Sequence, residues 1–219
     1  MKKKSIKLKI SAEIGSVSAE CFIPDKPVAI LTIAHGAGAN MNHAFMISLS
    51  EYFATLGIAT MRFNFPFMEN KKGRPDSPVV AHQVIAAAIV KAQELFPELP
   101  LFISGKSFGG RMSSQYLSEN VNKDIKGIIF FGFPLHPSGK PSIDRAEHLK
   151  KIKTPMLFLQ GTKDTLATWD LIHSVTSALK PATLIKIDGA DHSFKAGKRN
   201  VIEELASISK DWIQKQLRK

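Results

Sequence analysis

The segment Gly105-Lys106-Ser107-Phe108-Gly109 spells G-x-S-x-G between the apolar run Leu101–Ser104 and a helical window. Strand, sharp turn and helix in that order make a nucleophile elbow. The serine is held in a strained backbone conformation, and glycines two residues to either side let strand and helix approach without side-chain collision. Such a turn projects the hydroxyl of Ser107 above the sheet, at the amino end of the helix. A serine hydroxyl is a poor nucleophile at neutral pH, so it needs a base and a group that orients the base, in the chain order Ser, acid, His. Asp164 follows the buried run Met156–Gln160 through Gly161-Thr162-Lys163, and His192 follows the last β-rich run through Asp188-Gly189-Ala190-Asp191. Asp188 and Asp191 compete as carboxylates close to the histidine in sequence. They share its loop and read as turn residues, so Asp164 is the expected orienting acid. In this scheme His192 takes the proton of Ser107 and later delivers it to the leaving group, while Asp164 fixes the imidazole tautomer.

A tetrahedral intermediate needs hydrogen-bond donors for its oxyanion. The N–H of Phe108, next after the serine, is one expected donor. The second is expected from the glycine-rich loop His35-Gly36-Ala37-Gly38, at the N–H of Ala37 with Gly38 as the alternative. Of the seven histidines, His35 reads as a structural group bonded within its own loop, and His82, His148 and His173 fall in helical windows. His43 and His136 are expected near the pocket rim. No pair shows metal-ligand spacing with a third carboxylate or cysteine, so no metal is expected. Lys106 either meets an acidic substrate or is paired internally, and internal pairing is the expectation. Cys21, the only cysteine, reads as a small strand residue.

The elements that must position these residues alternate between short β-rich runs and longer helical windows, the pattern of a mostly parallel sheet covered on both faces. Eight strands are expected: Ile6–Ser11 and Ala19–Ile23 as an edge hairpin, then Val28–Ala34, Ile58–Phe63, Leu101–Ser104, Ile128–Phe133, Met156–Gln160 and Thr183–Ile187. Helical windows run over Met41–Leu56, Pro78–Phe96, Phe108–Asn120, Trp169–Leu179 and Asn200–Leu217, with a weak short one at Asp144–Lys150. Two irregular segments, Asn64–Ser77 and Pro134–Ile143, follow strands and belong at the carboxyl ends, where open α/β sheets place their sites. No repeat or linker divides residues 1–219, so one domain is expected.

Composition agrees with an ordinary globular chain: 44% of the 219 residues are apolar and 22% charged, which excludes disordered and collagen-like classes. The longest apolar runs fall far short of the roughly 20 residues that span a bilayer. The basic start Met1-Lys2-Lys3-Lys4 leads into an alternating segment instead of a signal-peptide core, which predicts a cytoplasmic protein. The net charge of +11 is spread along the chain, with no long basic run and no aromatic interleaving, so a basic surface is expected and nucleic acid is not an expected partner.

Six segments in order resemble the α/β-hydrolase superfamily. They are His35-Gly36-Ala37-Gly38-Ala39, Arg62-Phe63-Asn64-Phe65-Pro66, Gly105 to Arg111, Gly132-Phe133-Pro134-Leu135-His136-Pro137, Gln160-Gly161-Thr162-Lys163-Asp164 and Gly189 to Phe194. More closely, the chain resembles the small dienelactone-hydrolase-like branch, which includes the α/β-hydrolase domains of a testis-expressed protein and an NSL-complex subunit. The resemblance implies a hydrolase with no cofactor. Dienelactone hydrolases proper carry a cysteine at the position of Ser107, so their lactone substrate does not transfer. Only Pro134 to about Lys153 fills the place where lipases carry a cap, which predicts no large lid.

Together these readings predict an α/β-hydrolase fold carrying a serine hydrolase that cleaves a small to medium ester or thioester through an acyl-enzyme. Phe65, Phe67, Met68, Phe133 and Leu135 are expected as walls of the substrate pocket. Amide or peptide cleavage by the same three residues is the alternative enzyme, and a binding module on the same fold is the alternative of a different class. Oligomeric state is not legible in the sequence.

Overall fold

The computed structural model describes residues 1–218. Eight strands form one sheet in the order β1-β2-β4-β3-β5-β6-β7-β8. They are β1 Lys2–Ser11, β2 Gly15–Ile23, β3 Ala29–Ala34, β4 Ile58–Phe63, β5 Leu101–Lys106, β6 Ile125–Phe131, β7 Met156–Gly161 and β8 Ala182–Ile187. The helices are α1 Ala44–Thr55, α2 Pro66–Glu69, α3 Pro78–Leu95, α4 Phe108–Glu119, α5 Trp169–Ser177 and α6 Val201–Leu217, with a 3-10 helix over Asp144–Lys151. The hairpin β1-β2 joins β4 antiparallel, and every pairing from β4 to β8 is parallel.

The parallel strands are buried on both faces, and their side chains alternate between two cores. In β7, Met156 and Phe158 enter the core under α3, α4 and α5, while Leu157 and Leu159 enter the core under α1 and α6. The chain leaves β3 for β4 on one side and returns to β5 on the other. The carboxyl end of β3 is therefore a topological switch point, where the loops diverge and open a crevice.

The expected elements are present, with instructive shifts. β1 begins at Lys2 because its lysines stand on an edge strand facing water, where a charge does not interrupt pairing. β6 ends at Phe131, two residues before the expected Phe133, because Gly132 adopts φ 71° and turns the chain out of the sheet. The segment expected to be irregular after Asn64 holds the short α2, started by Pro66 at its first turn. Between β6 and β7 the only helical element is the 3-10 helix, and no large cap covers the sheet.

Candidate active site

Ser107 lies at φ 50°, ψ −114°, a region costing a non-glycine residue roughly 1–3 kcal/mol. It follows β5 directly and is the N-cap of α4, yet its side chain makes no capping hydrogen bond. The hydroxyl is thus withheld from the helix and free to face the loops. The elbow closes so tightly that side chains are excluded: a Cβ at Gly105 would lie 2.2 Å from the nitrogen of Gly110, and one at Gly109 would lie 2.4 Å from the carbonyl oxygen of Ala34.

Three loops at the carboxyl edge of the sheet bring Ser107, His192 and Asp164 into one line. Oγ of Ser107 is 2.8 Å from Nε2 of His192, and Nδ1 of His192 is 2.8 Å from Oδ2 of Asp164. A carboxylate only accepts, so the neutral imidazole carries its proton on Nδ1 and receives the serine O–H at Nε2. Asp164 is buried, with Oδ1 accepting the N–H of Leu166 at 2.8 Å and Oδ2 also accepting Nε2 of Gln160 at 2.6 Å. Asp188 pairs instead with Lys186 at 3.3 Å, and Oδ1 of Asp191 accepts the N–H groups of Ser193 and Lys195 within its own turn. The β7 and β8 loops meet this closely because Gly161 has no side chain: a Cβ there would stand 2.3 Å from the carbonyl oxygen of Ala190.

Beside Ser107 a cavity of about 350 Å³ opens, lined by Ala37, Gly38, His43, Phe45, Met46, Lys106, Leu166 and His192 among others. The N–H of Phe108 begins α4, where the first amides have no intrahelical partner and the positive end of the helix dipole favours an anion. Ala37 makes no hydrogen bond within the described residues and borders the same cavity. Its loop is braced from below. His35 donates from Nδ1 to the carbonyl of Gly36 at 2.8 Å and accepts the N–H of Phe65 at 3.0 Å, and burial lowers its pKa to about 4.

Phe65, Phe67, Met68, Phe133 and Leu135 do not line this cavity, which corrects the expectation that they form its walls. Phe65 and Phe67 stand edge-on to His35 and to Phe108, forming an aromatic bed beneath the loop and the elbow. Phe133 packs on Phe130 and Phe158, Leu135 is fully buried, and Met68 leans on the same core from α2. The apolar walls are Phe45, Met46 and Leu166, from α1 and the loop after β7. His43 borders the cavity. His136 does not: its ring is tied to the carbonyl of Pro137 and the N–H of Thr168.

Three supporting groups carried no signal of their own in the sequence. Gln160 is buried and bridges the N–H of Phe133 (2.9 Å) to Asp164. Arg62 donates to the carbonyl of Met41 and pairs with Glu20, while Asn64 accepts the N–H of Met41 at 2.9 Å, so the far end of the β3 loop is clamped at both backbone groups. All three lie in segments that matched the family pattern, which was their only trace. Among the described residues no group of three or more His, Cys, Asp or Glu side chains is placed to hold a metal ion, and no helix is long and apolar enough to cross a membrane. Cys21 is buried and its thiol is pushed up to about 12 by desolvation, so it is an inert strand residue.

The fold and this line of three side chains define a class, and comparison with known families agrees: the α/β hydrolase domain model matches residues 27–215. The chain belongs to the α/β-hydrolase family. Among solved structures it is similar to an α/β serine hydrolase homologue from Coxiella burnetii, with a TM-score of 0.77 at 20% identity over 95% of this chain and 98% of that one. It is similar to the same degree, 0.77 at 17% identity over 98% of each chain, to a dienelactone hydrolase from Anabaena variabilis. Two strains of Mycobacterium tuberculosis carry a relative named as a proposed phosphoribosyl transferase, 22% identical over 202 residues, which are 90% of this chain and 43% of that protein. The chain thus spans less than half the length of the curated relatives it matches.

Proposed function

We propose that the protein is a serine hydrolase that cleaves a small to medium ester or thioester through an acyl-enzyme. The observation that carries this reading is the hydrogen-bonded line Ser107–His192–Asp164, with both links at 2.8 Å, ending on a strained serine at the edge of a cavity. In the first step Oγ of Ser107 bonds to the acyl carbon as its proton passes to Nε2 of His192. The oxyanion is met by the N–H groups of Phe108 and Ala37, each such donor being worth about 3 to 4 kcal/mol in the transition state. Collapse breaks the bond to the leaving oxygen or sulfur, which takes the proton from His192. Water then adds to the acyl carbon as His192 takes its proton, the bond from that carbon to Oγ of Ser107 breaks to release the acid, and His192 returns the proton to Oγ.

Phe45, Met46 and Leu166 give the acyl side an apolar wall, and about 350 Å³ is at the small end of ligand pockets. With no large cap over the sheet, the site stays fairly open. The curated relatives' name describes proteins more than twice the matched length, and the serine line accounts for this chain's site without a transferase role.

The test is intact-mass analysis of wild type and Ser107→Ala after exposure to a fluorophosphonate. One adduct on wild type and none on Ser107→Ala is the expected result, followed by an ester, thioester and peptide panel. No adduct on folded wild type overturns the reading, and turnover of peptides alone moves it to amide cleavage.

A further inference from the structure

Lys106 stands beside the nucleophile, yet the chemistry above gives it no task. Its side chain leaves the end of β5 and crosses the carboxyl edge of the sheet, where Nζ donates to the main-chain carbonyl of His192 at 2.5 Å, 86 residues away in sequence. The ammonium lies 5.3 Å from the ring centroid of Phe194, in the same loop. A Cβ built on Gly132, just past β6, would lie 3.3 Å from Nζ, 3.6 Å from Oδ2 of Asp164 and 3.6 Å from Nδ1 of His192. The cation therefore sits against the junction of the acid and the imidazole.

Such a placement is unfavourable for a lysine. Holding the long side chain in one conformation costs rotamer entropy, and the ammonium is strongly hydrated when free. Burial lowers its pKa to about 8, against the opposing attraction of Asp164 and Asp191. A lysine serving solubility alone would extend into water. Internal bonds make the His192 turn rigid, with Asp191 accepting from Ser193 and Lys195 and Phe194 donating to the carbonyl of Asp191. A rigid turn must still be placed relative to the serine. Among the described residues, Lys106 makes the one hydrogen bond from β5 to the main chain of that turn.

We propose that Lys106 is a positioning residue: by holding the main chain of His192 it keeps Nε2 in line with the hydroxyl of Ser107. The proposal rests on the serine-hydrolase reading. The titratable groups facing Lys106 are Asp164 from the loop after β7, Asp191 and His192 from the loop after β8, and His43 across the cavity. Phe131 and Gly132 of the β6 end and Gly36 to Gly38 of the β3 loop bring no charge. A charged donor makes a hydrogen bond roughly twice as strong as a neutral one, so loss of the Lys106 proton loosens the turn. Wild type should then lose reactivity on the alkaline side with an apparent midpoint near 8.

The experiment measures the fluorophosphonate inactivation rate from pH 6 to 10 for wild type, Lys106→Met and Lys106→Arg, resolving the maximal rate constant from the half-saturating concentration. Lys106→Met is expected to lower the rate constant about 10- to 100-fold with the half-saturating concentration unchanged, the scale of loss that small misplacement of a reacting group produces. Lys106→Arg is expected to restore most of the rate near pH 7 and to abolish the alkaline decline, since guanidinium does not titrate there. A wild-type rate in Lys106→Met overturns the proposal, and so does a change confined to the half-saturating concentration, which would make Lys106 a ligand contact. If Lys106→Met fails to fold by circular dichroism, Lys106→Arg decides, and an alkaline decline still centred near 8 overturns the proposal. Wild type that takes no label at all overturns the hydrolase reading and this one with it, whereas labelled wild type with an indifferent Lys106 overturns only this one.

Discussion

Asp164 and His192 meet through a single carboxylate oxygen: Oδ2 receives Nδ1 of the imidazole at 2.8 Å, while Oδ1 is held by the N–H of Leu166 at 2.8 Å. One oxygen anchors the acid to its own loop and the other sets the ring. Asp164→Asn keeps the shape and loses the charge that selects the Nδ1–H tautomer, so kcat should fall by about 10³- to 10⁴-fold with little change in KM. Asp188→Asn, altering an exposed partner of Lys186, should leave both constants at wild-type values. Steady-state kinetics on an activated ester checks this, and inactivation by Asp188→Asn with Asp164→Asn intact would reverse the assignment.

Gln160 joins two loops from a fully buried position. Gln160→Leu removes the acceptor of the Phe133 N–H and one of the donors to Asp164. A buried group left without its partner costs about 1–3 kcal/mol, so the urea midpoint should drop by that equivalent at unchanged m-value. Activity should fall as well, because the carboxylate loses a restraint. An unchanged urea midpoint would show that neither bond matters to the fold.

The elbow glycines predict a sharp contrast. A Cβ at Gly109 would stand 2.4 Å from the carbonyl oxygen of Ala34, a contact that only backbone movement relieves, whereas Gly38 has no atom within 4 Å of its Cβ position. Gly109→Ala should destabilise the protein by more than about 4 kcal/mol or prevent folding, and Gly38→Ala should melt with wild type. Thermal unfolding of the pair is the measurement, and equal melting temperatures would contradict the close approach of α4 to β3.

Stability should decline on mild acidification. Burial lowers the pKa of His35 to about 4, and burial, helped by Arg111, His82 and Lys151, does the same for His148. Between about 4 and the ordinary value of 6.5 the unfolded chain binds protons that the folded protein refuses, so stability falls as pH drops through this window and these two groups add nothing below it. Glu69 acts lower. Desolvation raises its pKa, but bonds from Asn64, Ser18 and Lys7 together outweigh that and bring it to about 2, so its contribution is lost from about 4.5 down to 2. Melting temperatures across pH 7 to 4 should fall less steeply in His148→Gln than in wild type. An equal slope would remove His148 from the account.

Much of the architecture was legible in the residues because its causes are local or periodic. The run Ile58–Phe63 matches the observed β4 residue for residue and is buried along its whole length, Thr60 and Arg62 included, as a strand covered on both faces must be. Pro78 marks the first turn of α3. Gly105 and Gly109 announced the elbow because no other residue fits there. The shift at β6 shows the limit: its apolar run continues through Phe133, and only the positive φ at Gly132 ends the strand earlier.

By itself the sequence determined the order of the strands and of every helix but the short α2, the elbow at Ser107, and the placement of Asp164 and His192 after strands whose ends share one edge. Those follow from periodicity and from steric rules that act over a few residues. Only the tertiary structure decided which carboxylate faces the imidazole, that Gln160 and Lys106 reach the same junction, and that the cavity is walled by Phe45, Met46 and Leu166 while Phe65, Phe67, Phe133 and Leu135 are core. The physical reason is that an apolar residue in a strand-end loop gains by burial wherever it finds cover, so its type says that it is covered and not by what. A contact spanning 86 residues, like that of Lys106 with His192, depends on how the loops of three strands are set against one another, and no spacing along the chain encodes that distance.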